Sequence, residues 1–174
     1  MEKKPSLDAS SKPESVLYAT RCWWAVVCAE LVHQLLNFVI GMQTRQDISA
    51  QIKASMSPNQ QFSPELIDVA AVLALAGISA FSLLIVGCLA WFVRSFSQGS
   101  KRAELARKVL TYFGIYFVIR AVMLFFAQPV GAIPVQYYAV DGCIQMGVGV
   151  FACLGLIYAS KKESAEHSQS TPSE

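Results

Sequence analysis

Four long apolar runs follow one another along the chain, and nearly all of the charged residues lie between them. About 20 apolar residues are enough for a helix to cross the hydrocarbon core of a bilayer. The pattern therefore predicts an all-α polytopic membrane protein, with four transmembrane helices in an antiparallel bundle. We expect a transmembrane domain over residues 17–160, with spans at about 19–42, 65–93, 104–127 and 135–159.

The two ends of the chain differ from this domain in composition. Residues 1–16 and 161–174 are rich in Ser, Lys and acidic side chains and have little to bury, which predicts disordered cytoplasmic tails. Over the whole chain 54% of residues are apolar and 15% are charged. Soluble domains carry about 25% charged residues. The composition therefore favours the lipid bilayer as the main partner of the chain.

The positive charges predict the orientation of the spans. Four Lys or Arg residues lie before span one or at its start, five lie from the end of span two to the start of span three, and two follow span four. The opposite side carries only Arg45 and Lys53, while Arg120 lies inside span three. Positively charged loops stay in the cytoplasm. We therefore expect a multi-pass protein of the plasma (inner) membrane with both termini in the cytoplasm.

Two outer connections join the spans on the other side. Residues 47–56 are expected to form a short helix, because Ile48 and Ile52 lie one turn apart on one face. Ser63 and Pro64 are a typical helix start, a capping hydroxyl followed by a proline in the first turn. The last connection, residues 128–134, holds glycine and proline but no charge, which favours a tight hairpin.

Span one carries a polar stripe. Its members Glu30, His33, Gln34 and Asn37 follow the i, i+3, i+4, i+7 spacing of one helix face. Polar groups are costly inside a membrane, so they need partners, water or a role. A carboxylate beside an imidazole could exchange protons or bind a cation. The alternative is a stripe that faces the bundle interior and bonds to neighbouring spans.

A second polar group joins spans three and four. Arg120 and Asp141 lie eleven and ten residues from Gly131 in the hairpin, which places them at matching depth. The sequence therefore predicts an intramembrane ion pair that makes both charges tolerable there. Gln145, one turn from Asp141, and Asp68, early in span two, are expected nearby.

No recognisable motif for catalysis, metal binding or nucleotide binding occurs in the chain. The five cysteines form no C-x-x-C pair, and only two histidines are present. The basic connection lacks the interleaved aromatic residues of a nucleic-acid site. We therefore expect no enzyme activity, no cofactor, no metal and no nucleic acid, and a second membrane protein or a second copy of this chain as the partner class.

Two stretches resemble the small four-span membrane proteins common in actinobacteria. They are Arg21-Cys-Trp-Trp-Ala-Val-Val at the start of span one and Arg102-Ala-Glu-Leu-Ala-Arg-Lys-Val-Leu-Thr-Tyr-Phe-Gly leading into span three. The resemblance implies the four-span layout and no particular activity. Glu30 is also similar in placement to the carboxylate of small multidrug-resistance transporters, which are shorter and usually avoid an arginine such as Arg120.

Two functional hypotheses follow from the sequence. The first is a non-enzymatic accessory or structural component of a cell-envelope membrane system. The second is a small proton-coupled transporter that works as a homodimer, with Glu30 as the coupling carboxylate and His33 and Asn37 along the path. Substitution of Glu30 separates them, because only a transporter would lose a coupled flux.

Overall fold

Helices make up most of the residues that the computed structural model describes, which are 12–56, 62–126 and 134–169. In chain order the elements are α1 (Glu14–Gln43), α2 (Arg45–Ser55), α3 (Pro64–Ser97), α4 (Ala103–Met123) with a 3₁₀ turn (Leu124–Phe126), α5 (Val135–Ala159) and α6 (Lys162–Gln169). No strand occurs among these residues. The predicted all-α class is confirmed.

Four of the helices are long and apolar enough to cross a membrane. These are α1, α3, α4 with its 3₁₀ turn, and α5, with 30, 34, 24 and 25 residues. At 1.5 Å per residue the shortest extends about 36 Å, which exceeds the roughly 30 Å hydrocarbon core. The side chains on the outer surface of the bundle are mostly apolar and exposed; Leu73 and Phe81, for example, are each 66% exposed. The chain therefore has the architecture of a four-span membrane protein.

The four spans form a closed bundle. α1 packs against α3 and α5, and α4 packs against the same two helices. Each span is thus next to the spans that precede and follow it, and α5 returns to lie beside α1. This arrangement places α1 and α4 diagonally across the bundle, so side chains that join them must meet near its centre.

Glycines set the closest helix contacts. A Cβ atom on Gly149 of α5 would lie 2.4 Å from the Cβ of Ala121 on α4. One on Gly155 would lie 3.0 Å from Nε1 of Trp23, which is fully buried in α1. Small residues therefore let α5 approach both neighbours closely, as they do in many membrane bundles. Gly77 and Gly147 have open space around them instead.

Both described ends of the chain lie at the same end of the bundle. Ser15, early in α1, donates to Glu163 of α6 at 3.2 Å, and Ser164 donates to Ser15 at 2.9 Å. Lys12 donates to Ser97, at the end of α3, at 3.2 Å. The connection between α3 and α4 therefore shares this end with both termini, as an even number of spans requires.

The C-terminal segment differs from the predicted disordered tail. Residues 162–169 form α6, which packs against α1 and α4, and Ser164 is fully buried there. Residues 170–174 lie outside the described residues, and so do residues 1–11 of the predicted N-terminal tail. Helix α1 begins at Glu14, inside that predicted tail.

At the opposite end of the bundle, the connection between α1 and α3 contains a helix where one was expected. α2 covers most of the predicted 47–56 segment and packs on α3. The Ser63 hydroxyl accepts a hydrogen bond from the Leu66 N–H at 3.3 Å, and Pro64 is the first residue of α3. The start signal read from the sequence is confirmed. The hairpin predicted at 128–134 lies outside the described residues except for Pro134.

Candidate functional site

The centre of the bundle holds an ion pair between diagonal spans. Arg120 of α4 donates through Nη1 to Oε2 of Glu30 in α1 at 3.3 Å, and through Nη2 to Oε1. The Glu30 side chain is 4% exposed and that of Arg120 is 20% exposed. A two-point guanidinium–carboxylate contact is strong and fixes the relative orientation of its partners. The pair therefore links α1 to α4 across the bundle.

Aromatic rings of α4 lie beside the guanidinium. The Cζ of Arg120 is 5.1 Å from the ring centre of Phe117 and 5.9 Å from that of Tyr116. A cation over an aromatic face is attracted by the ring quadrupole, more so where water is excluded. The Nε of Arg120 is buried and has no hydrogen-bond partner among the described residues. The guanidinium thus has donor capacity that Glu30 does not use.

A second polar group lies about one turn further along α1. His33 Nδ1 is 2.5 Å from Oδ1 of Asp141 in α5, and the Asn37 amide nitrogen is 2.9 Å from His33 Nε2. The His33 ring thus lies between the Asp141 carboxylate of α5 and the Asn37 amide of its own helix. Gln145 donates to the other oxygen of Asp141. These bonds join α1 to its neighbour α5.

The structure does not form the predicted pair between Arg120 and Asp141. Arg120 binds Glu30 and Asp141 binds His33 instead. Side chains on a helix lean toward its N-terminus. Since α4 and α5 run antiparallel, two residues at equal Cα depth point their side chains in opposite directions along the bundle. Depth counted from the hairpin therefore could not identify the partner.

The remaining predicted residues have separate positions. Asp68, expected near Arg120, lies 3.7 Å from Nε of Arg45, and both side chains are nearly half exposed. Gln34 lies beside a cavity that reaches the Glu30–Arg120 pair. The residues of the predicted stripe thus have different surroundings. Glu30 pairs with Arg120, His33 and Asn37 belong to the group around Asp141, and Gln34 lines this cavity.

The cavity occupies about 430 Å³ between α1, α3 and α4. Its polar lining comes from Glu30, Gln34, Ser82 and Arg120, and most of the rest is aliphatic or aromatic. Four aromatic residues of α4 contribute: Tyr112, Phe113, Tyr116 and Phe117. The sequence interpretation missed them, although their i, i+1, i+4, i+5 spacing places them on one helix face next to Arg120.

The fold and this buried polar network define a multi-pass integral membrane protein. Among the described residues no group of three or more His, Cys, Asp and Glu side chains could hold a metal ion. Comparison with protein-family models, with curated protein sequences and with solved structures finds no match to this chain. The functional assignment therefore depends on the geometry of the polar network and the cavity.

Proposed function

We propose that the protein is a non-enzymatic accessory component of a cell-envelope membrane system, held in the plasma membrane with both termini in the cytoplasm. The pairing of the polar groups inside the bundle supports this role. Glu30 faces Arg120 and His33 faces Asp141, so each of these groups has a partner within the bundle. Such pairs hold three spans in one arrangement, and a fixed bundle suits a protein that presents its outer surface to a partner.

A proton-coupled transporter is the second candidate, and the cavity is the observation that favours it. The cavity reaches both Glu30 and Arg120, so a substrate there would meet the carboxylate directly. A coupling carboxylate must alternate between binding a proton and binding its substrate or counter-charge. In this protein Glu30 would have to leave Arg120 in each cycle.

Extraction of the tagged full-length protein from its native membrane in a lipid-preserving polymer tests the accessory role. We expect a second membrane protein to co-purify in a fixed stoichiometric ratio and to be identified by mass spectrometry. The matched control is the double variant Glu30→Gln with Arg120→Gln, which removes both charges and keeps hydrogen-bonding groups. We expect it to retain the partner at the same ratio.

A different set of results would contradict the accessory role and favour the transporter. If the protein comes out only with itself, and the wild type drives proton-coupled uptake of a lipophilic cation into proteoliposomes that the double variant lacks, the accessory role is contradicted. Size-exclusion chromatography of both proteins before reconstitution confirms that the variant is folded, so lost uptake cannot reflect lost protein.

The proposed orientation has a direct test with reporter fusions. Alkaline phosphatase is active only outside the cytoplasm, whereas green fluorescent protein fused at the same position fluoresces inside. We expect phosphatase activity for fusions after Ser55 and fluorescence for fusions after Gln98 or Gln169, because these positions lie at opposite ends of the bundle. High phosphatase activity after Gln98 and Gln169, with none after Ser55, would invert the topology.

A further inference from the structure

The cavity opens sideways, toward lipid. Tyr112 and Tyr116, which line it on α4, are 72% and 55% exposed, and Ile85 on α3 is 37% exposed. Tyr116 is near the middle of the span 103–126, where the surroundings of a membrane protein are hydrocarbon. A molecule that enters between α3 and α4 therefore comes from the bilayer and is largely apolar.

The polar floor of the cavity, which consists of Glu30, Gln34, Ser82 and Arg120, has no net charge. Glu30 and Arg120 offset each other, and the other two polar residues there, Gln34 and Ser82, are neutral. A charged head group would have to displace one member of the pair and leave the other uncompensated inside the protein, which is costly. The floor therefore selects a neutral head group.

The floor also has a surplus of hydrogen-bond donors, in the sense that the Glu30–Arg120 pair leaves some N–H groups of Arg120 unused. A guanidinium carries five N–H donors, and Glu30 accepts from the two Nη atoms of Arg120. The amide of Gln34 adds two further N–H donors and one acceptor. A ligand whose head group accepts hydrogen bonds would match this surplus without breaking the ion pair.

We propose that the cavity binds a neutral amphiphile whose head group presents a carbonyl oxygen to Arg120 and Gln34, as an ester-linked neutral lipid or a quinone does. Its apolar tail would pass between α3 and α4. Buried Val86, Leu89 and Phe117 supply apolar lining. The volume of about 430 Å³ lies within the range of small-molecule sites. The proposal does not require the accessory role, but it does require the intact Glu30–Arg120 pair.

Photolabelling of the full-length protein in maltoside micelles, which contain no ester lipid, tests this site. The probes are a photoactivatable diacylglycerol and a photoactivatable decyl-benzoquinone, and the charged control is phosphatidic acid with the same labelled chain. We expect saturable labelling by at least one neutral probe, mapped to peptides of α3 and α4, and no saturable labelling by phosphatidic acid. The neutral probe whose labelling saturates shows whether the carbonyl oxygen belongs to an ester-linked lipid or to a quinone.

Matched variants assign the labelling to the cavity. Ser82→Trp places a large side chain in the cavity and is expected to abolish saturable labelling, whereas Ile78→Trp, one turn away at a 67% exposed position outside it, keeps the labelling. Equal labelling of both variants, or saturable labelling by phosphatidic acid, overturns the proposal. If Ser82→Trp does not fold, the proposal is tested by competition on the wild-type protein. We then add an excess of unlabelled dioctanoylglycerol or decyl-benzoquinone. Labelling that neither compound reduces also overturns the proposal.

Discussion

Replacement of Arg120 by methionine is expected to lower the free energy of unfolding by about 3–5 kcal/mol, the cost typical of breaking a buried ion pair on one side. The substitution leaves the carboxylate of Glu30, which is 4% exposed, without a counter-charge near the centre of the bundle. Unfolding by sodium dodecyl sulfate in mixed micelles, followed by circular dichroism, measures the difference. We also expect a lower yield of monodisperse protein.

The matched control is Arg45→Met, the same substitution in a solvent-exposed Arg–carboxylate pair. Arg45 and Asp68 are 3.7 Å apart, and their side chains are 45% and 44% exposed. Pairs exposed to this degree contribute about 0–1 kcal/mol. Similar losses for Arg45→Met and Arg120→Met would mean that the central pair does not stabilise the bundle more than an exposed one.

Gly149→Ala is expected to destabilise the bundle by about 1–3 kcal/mol, the usual cost of overpacking a core. The added methyl would lie 2.4 Å from the Cβ of Ala121, which is held by the α4 backbone, so α4 and α5 must move apart. The same unfolding assay measures this loss. Ala121→Gly in the same chain removes the clash and should restore part of the stability.

Gly147→Ala is the control for this effect, because it lies in the same helix and a Cβ there has nothing within 4 Å. The gain in helix propensity from Gly to Ala is common to both substitutions and cancels in the comparison. We expect Gly147→Ala to be neutral or slightly stabilising. A Gly149→Ala protein as stable as Gly147→Ala would show that α4 and α5 do not pack closely at Ala121.

Hydropathy was enough to predict the spans because crossing a bilayer demands length and apolar composition, and both can be read directly from the residues. The start of α3 was also predictable, since Ser63 and Pro64 act on the adjacent turn only. The partners that side chains find across the bundle could not be predicted. These partners depend on the rotation of each helix about its axis and on the direction in which its side chains lean. The pairing of Arg120 with Glu30 depends on both.

The α6 helix was missed for a different reason. Its buried residues are Ser164 and Ser168, and small polar residues leave no apolar stripe in the sequence. Burial of Ser164 is tolerated because its hydroxyl lies within hydrogen-bond distance of the Ser15 hydroxyl and of the Tyr158 carbonyl oxygen, both at 2.9 Å. Burial that depends on hydrogen bonds to distant residues has no local signal in hydropathy.

The coupling free energy between Glu30 and Arg120 tests the central pair most directly. A double-mutant cycle from Glu30→Gln and Arg120→Met, measured by unfolding in mixed micelles, is expected to give a coupling of about 2 kcal/mol, within the range for side chains in contact. The parallel cycle with Asp141→Asn in place of Glu30→Gln should give a smaller value. A larger coupling of Arg120 to Asp141 than to Glu30 would contradict the arrangement of the polar network.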